Sequence, residues 1–166
     1  MNTLDFFLVR TAIPEWQIIG RLVIALLLGG AIGFDREVKN RPAGLRTHML
    51  IALAAAIFSI TTLEIVAGME KTGHAADPIR AIEAVTAGVA FLAAGSIIQS
   101  RAQISGLTTG ASMWLAGAIG VACGFGFFSI AVLATALALI VLVWLQSLSE
   151  KINPAVSPVG KNDVKP

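Results

Sequence analysis

Residues 104–148, ISGLTTGASMWLAGAIGVACGFGFFSIAVLATALALIVLVWLQSL, run without one charged side chain. The passage breaks only around Gly124-Phe125-Gly126, where two glycines favour a turn. A bilayer-spanning helix needs about 20 mostly apolar residues. The stretch therefore reads as two spans, 104–125 and 127–148, folded back as a tight antiparallel hairpin. Ten-residue segments of alternating polarity, the mark of a membrane barrel, are absent. Long continuous apolar runs satisfy their backbone in lipid only as helices.

Three more such runs lie upstream. Residues 16–34 are interrupted only by Arg21, which is expected to snorkel outward to an interface. Residues 47–66 are charged only at Glu64, and 81–100 carry Glu83 near their start. The fold class is thus an all-α integral membrane protein, a bundle of about five transmembrane helices. Residues 1–15 read as an interfacial segment, with Leu4, Phe7 and Leu8 turned to lipid. They hold Asp5 and Arg10 and lack the long apolar core of a cleavable signal. Residues 149–166, with three prolines and scattered charges, read as a disordered tail.

Composition agrees and excludes other classes. Of 166 residues, 56% are hydrophobic and 13% charged, with a mean hydropathy of +0.82, so disorder is excluded. A lone cysteine, Cys123, cannot make an internal disulfide. A net charge of +2 with dispersed bases gives no nucleic-acid surface. With five spans, Arg36, Lys39, Arg41, Arg46, Arg101, Lys151, Lys161 and Lys165 share one side, whereas Arg10, Lys71 and Arg80 take the other. The positive-inside rule then puts the N-terminus outside and the C-terminus in the cytoplasm.

The densest charges are Asp35, Arg36, Glu37, Arg41 and Arg46, followed by His48. Topology alone needs bases and no acids, so two readings stand: an ordered ion-pair hinge, or a solvated loop. On the other side, Glu64, Asp77, Arg80 and Glu83 either converge, with Arg80 pairing a carboxylate, or serve as helix-end residues reaching water. Asp77 as N-cap before Pro78 would also explain both residues as a helix start. Asp35 with Glu37, or Glu64 with Glu83, supplies the number of carboxylates a magnesium ion uses. Residues two apart do not share a helix face, however, so the first pair chelates poorly. His48, His74 and Cys123 lack zinc-ligand spacing. No metal site, cofactor or enzyme motif is assigned.

Small residues carry a different message. Ser112, Ala116, Gly120 and Gly124 recur every four positions, and Gly29 and Gly33 form a GxxxG pair. Such stripes let helices approach closely, either within the molecule or against a second copy or larger membrane complex. In Gly106-Leu107-Thr108-Thr109-Gly110, the hydroxyls of Thr108 and Thr109 either cap the start of a helix or line a cavity.

Several motifs occur in an order that points to a family. Asp35-Arg36-Glu37 precedes RPAGLRTHML at 41–50, then come Asp77-Pro78-Ile79-Arg80, FLAAG at 91–95 and GLTTGASMW at 106–114. Together these resemble the motif set of the MgtC/SapB family of bacterial inner-membrane proteins, over about residues 20–126. Ala93 replaces a usual glycine and Gly110 a common alanine, both small for small. Longer family members carry a soluble C-terminal domain, so this sequence matches their membrane domain.

The resemblance implies a multi-pass protein of the bacterial inner membrane, tied to adaptation to low magnesium or stress. In pathogens it implies survival inside host cells. It also implies modulation of membrane energetics, with ATP synthase an associated partner. The expected role is therefore non-enzymatic support of magnesium homeostasis in the lipid bilayer. The alternative is a magnesium or proton transporter or channel subunit acting as an oligomer.

Overall fold

Pro14, with φ −56°, precedes the first helix, and Glu15 sits in its first turn, where a carboxylate complements the helix dipole. In the computed structural model, which describes residues 11–72, 77–100 and 103–145, this helix, α1, runs Glu15–Val38. It ends where Asn40 adopts a left-handed φ of 51°. The Asn40 N–H then donates to the Glu37 carbonyl and the Arg41 N–H to the Arg36 carbonyl, a Schellman-type cap. Four helices follow: α2 (Leu45–Glu70), α3 (Ile79–Gly95), α4 (Leu107–Phe125) and α5 (Phe128–Ile140). A π-helical turn, Val141–Leu145, continues α5. A short antiparallel hairpin, β1 (Ile98–Ser100) and β2 (Gln103–Ser105), joins α3 to α4 with Gln99 opposite Ile104.

The protein is an all-α membrane bundle, with five helices among the described residues. Helices α1, α2 and α4 are each long and apolar enough to cross a bilayer. The 17 residues of α3, and the 128–144 stretch, are shorter. At 1.5 Å per residue, 17 residues reach about 25 Å, somewhat less than a hydrocarbon core of about 30 Å.

Several boundaries differ from the sequence reading, among them the end of α2, which runs on to Glu70 instead of residue 66. Helix α1 continues past residue 34, so Asp35, Arg36 and Glu37 occupy its last turn and not a loop. Helix α3 stops at Gly95 instead of Ser100, and α4 starts at Leu107 instead of Ile104. Ile97, Ile98 and Ile104 keep the hydropathy high through the β-hairpin, and hydropathy does not distinguish a short strand from a helix. Residues 1–10, His74, Arg101 and the tail at 149–166 lie outside the described residues.

Packing is inverted relative to a water-soluble bundle. Ile19, Val23, Leu27 and Phe34 form an exposed stripe on α1, and Leu133, Leu137 and Ile140 do so on α5. In water such surface would demand a partner; in a bilayer it faces acyl chains. The interior mixes small and larger apolar side chains, with Ala25, Ile32, Ala56, Ile119 and Cys123 in one buried cluster and Ile51, Val89, Met113 and Ala116 in another.

The glycines set the helix spacing. A Cβ on Gly29 would lie 2.7 Å from the Ala52 Cβ, and one on Gly33 2.8 Å from the Leu45 Cα. On α4, Gly120 abuts the Ala52 backbone and Gly124 that of Ala56. Both small-residue motifs therefore form the seam that α2 shares with α1 and α4. Of the two readings for the α4 stripe, packing within the molecule accounts for Gly120 and Gly124.

Candidate functional site

The last turn of α1 places side chains with sharply different surroundings. Asp35 pairs with Lys39 one turn on, at 2.7 Å. Lys39 Nζ also donates to the Leu142 carbonyl at 3.0 Å, in the π-helical turn after α5. Glu37 turns the other way: its Oε2 accepts the Leu45 N–H at 2.9 Å and caps α2 in place of Gly44, which has no side chain. The two acids thus diverge and share no ligand position. The Asp35–Glu37 magnesium pair of the sequence reading does not form.

Arg36 points inward and is 3% exposed. Its Nη2 donates to the Thr109 hydroxyl of α4 at 3.0 Å, while its Nε has no hydrogen-bond partner. His48 is fully buried on α2. Its Nδ1 lies 2.8 Å from the Gly44 carbonyl, and because that carbonyl can only accept, Nδ1 carries a proton. Nε2 lies 3.0 Å from the Ser112 hydroxyl, which is 2.8 Å from the Thr109 carbonyl. Arg36, Thr109, Ser112 and His48 therefore link α1, α4 and α2 through buried polar contacts.

A cavity of about 1100 Å³ opens beside this network, lined by Arg36, Arg41, Thr47, Thr108 and Thr109 along with apolar residues such as Leu92 and Met113. The described lining residues all belong to the end where α1, α3 and α5 finish and α2 and α4 begin, and among the described residues no carboxylate lines it. The helix-start reading of the two threonines changes accordingly. The residue preceding α4 is Gly106, with φ 88°, and no side chain caps the helix there; Thr109 instead receives Arg36. Arg46 is exposed and does not line the cavity.

The opposite end is built differently. Glu64 accepts the backbone N–H groups of Ala12 and Ile13 at 2.6 and 2.9 Å, tying the segment before α1 to α2. Asp77 accepts the Ile79 N–H at 2.9 Å, at the start of α3. Arg80 and Glu83 are exposed. Among the described residues, Asp35–Lys39 is the ion pair observed, so the carboxylate pairing considered for Arg80 does not occur there. Arg21, part-buried, reaches the C-terminal end of α4 and donates to the Gly124 carbonyl at 2.7 Å. Among the described residues, no group of three or more His, Cys, Asp or Glu side chains could hold a metal ion.

Sequence reasoning missed several of these contacts. The burial of Arg36 and His48, and the role of Ser112 as a polar partner as well as a packing residue, had no linear signal. The reach of Arg21 and Lys39 to backbone carbonyls over a hundred residues away is equally invisible in the sequence. One clue existed: Thr109 and Ser112 are polar at spacing three on the face that carries the small-residue stripe.

Comparison with known proteins matches the sequence to a recognised group. A family model described as "MgtC family" matches residues 22–151. The chain is 37% identical over 140 residues to "Uncharacterized protein slr0014" of Synechocystis, covering 84% of this chain and 57% of that one. It is 37% identical over 127 residues to "Putative magnesium transporter YhiD" of Escherichia coli, covering 76% of this chain and 59% of that one. It is 36% identical over 132 residues to "Protein MgtC" of Salmonella typhimurium, covering 80% of this chain and 54% of that one. The chain spans a little over half the length of these curated relatives. No solved structure gives a significant match.

Proposed function

We propose, since this chain belongs to the MgtC family, that it is a non-enzymatic protein of the bacterial inner membrane that supports magnesium homeostasis and growth under magnesium limitation or stress. It acts by modulating membrane energetics or a membrane partner. The N-terminus is outside and the C-terminus cytoplasmic, which puts the Arg36 end on the cytoplasmic face. The observation that carries this reading is the buried Arg36–Thr109 contact beside a cavity that Arg36 and Arg41 line and that, among the described residues, no carboxylate lines. A magnesium path needs oxygen ligands, usually carboxylates with retained water; a cavity walled by Arg36 and Arg41 repels such an ion. The working residues are therefore the cytoplasmic charges and the polar contacts that hold them.

Transport remains the second reading, favoured by the name of the Escherichia coli relative. It would use Glu64 or Glu83 as an ion or proton ligand, in an oligomer. Glu64 is already held by two backbone amides and Glu83 is exposed on α3, so neither faces an ion path within one chain.

Growth of a deletion strain at limiting magnesium tests the role. Slowed growth, restored by the wild-type chain, is expected; normal growth without the gene overturns the proposal. Purified protein in liposomes separates the readings: magnesium or proton flux that depends on Glu83 would favour transport.

A further inference from the structure

We propose that the cavity at the Arg36 end binds a phosphoryl-bearing anion, held between Arg36, Arg41 and the N-terminus of α4. This goes beyond the magnesium role and stands or falls separately from it.

Three independent features converge. The first is charge: Arg36 and Arg41 line the cavity, and among the described residues no carboxylate does. Asp35 and Glu37, the nearest acids in sequence, lie outside the cavity wall: Asp35 pairs with Lys39 through Oδ1 while its Oδ2 has no hydrogen-bond partner, and Glu37 accepts the Leu45 N–H. The second is an unused donor. Arg36 is 3% exposed, and its guanidinium spends Nη2 on Thr109 while Nε has no partner. A guanidinium offers donors in a fork that matches phosphate oxygens, so a buried one with an idle donor beside a cavity is prepared for such a group.

The third feature is the helix start. Gly106 precedes α4 with φ 88°, and a Cβ there would collide with the Ser96 carbonyl. Glycine thus leaves the α4 N-terminus without a side-chain cap and open to the cavity, whose lining includes Gly106 and Thr108. A helix N-terminus presents N–H groups and the positive end of its dipole to an anion. Here it faces the same space as two arginines.

The location bears on the source of the phosphoryl group. The cavity lies at the ends of the membrane-crossing helices, where lipid headgroups lie, and Leu92, Leu107 and Leu142 give it apolar walls. An anionic phospholipid headgroup and a soluble phosphate share the recognition chemistry and differ in access.

The full chain in mild detergent, followed by thermal shift, provides the test. It is titrated separately with inorganic phosphate, short-chain phosphatidylglycerol and phosphatidylcholine of the same chain length. Saturable stabilisation by at least one anionic probe, in excess of any by phosphatidylcholine, is expected. A response to phosphatidylglycerol alone assigns a lipid headgroup; a response to inorganic phosphate assigns a soluble ligand. Arg36→Gln and Arg41→Gln should each weaken binding at least tenfold, whereas Lys71→Gln, beyond α2 at the other end, should leave it unchanged. Arg41 is exposed, so its variant keeps the test valid if Arg36→Gln does not fold. Equal response to phosphatidylcholine, no response to either anionic probe, or binding indifferent to Arg41→Gln would overturn the proposal.

Discussion

The two ends of this bundle handle charge in opposite ways. At the Arg21 end, charged groups close off loose backbone: Arg21 takes the last turn of α4, Glu64 the segment before α1, and Asp77 the first turn of α3. At the Arg36 end, Asp35, Glu37 and Lys39 do similar work, but Arg36 and His48 are buried between helices and join a polar network beside a cavity. Helix ends in a membrane must satisfy their backbone, so the first pattern is what stability alone explains. Burying a cation with an idle donor costs stability, and such expense commonly marks function. The difference is the ground for proposing the Arg36 end as the place where this protein acts.

Four substitutions probe that contrast, each read as unfolding stability in detergent. Gly120→Val should have the largest effect, since the branched side chain meets the α2 backbone at Ala52 in the seam common to both ends. Overpacking costs about 1–3 kcal/mol and more where backbone must move, so folded protein should fail to accumulate. A normal yield would show that α2 and α4 are less tightly joined than described. His48→Leu comes next: it removes the imidazole contacts to the Gly44 carbonyl and to Ser112, at about 1–3 kcal/mol for two buried hydrogen bonds, while the His48 N–H and the Thr109 carbonyl remain as their partners. An unchanged midpoint would mean that the network is not holding α2 to α4.

Arg21→Gln should cost about 1 kcal/mol, the usual worth of a hydrogen bond to a helix end, and leave growth support intact. Loss of growth support at normal stability would place function at the wrong end. Glu64→Gln should be smallest, under about 1 kcal/mol, because its contacts lie near solvent and screening reduces them. A larger loss would mean that the segment before α1 is integral to the bundle.

Much of the architecture was legible because apolar length is a strong one-dimensional signal. The charge-free passage at 104–148 with its glycine break became α4, a Gly126 turn with φ 87°, and α5. The β-hairpin at 98–105 was not, because its isoleucines look like helix interior to hydropathy. The candidate site was half legible. The motif charges drew attention to the end where the buried polar network lies, but a run such as Asp35-Arg36-Glu37 does not show which member turns inward. That depends on α1 continuing to Val38, which directs Asp35 to Lys39, Glu37 to α2 and Arg36 to Thr109. The glycine stripe showed where helices touch, and the polar pair Thr109 and Ser112 on the same face gained meaning only once Arg36 and His48 were seen against it.

The central claim is that the Arg36 end carries the function and the Arg21 end only stability. Growth of the deletion strain at limiting magnesium, complemented with Arg36→Gln or with Arg21→Gln at matched membrane levels, tests it most directly. The account predicts that Arg36→Gln fails to restore growth while Arg21→Gln restores it. Restoration by Arg36→Gln, or failure of Arg21→Gln alone, would contradict it.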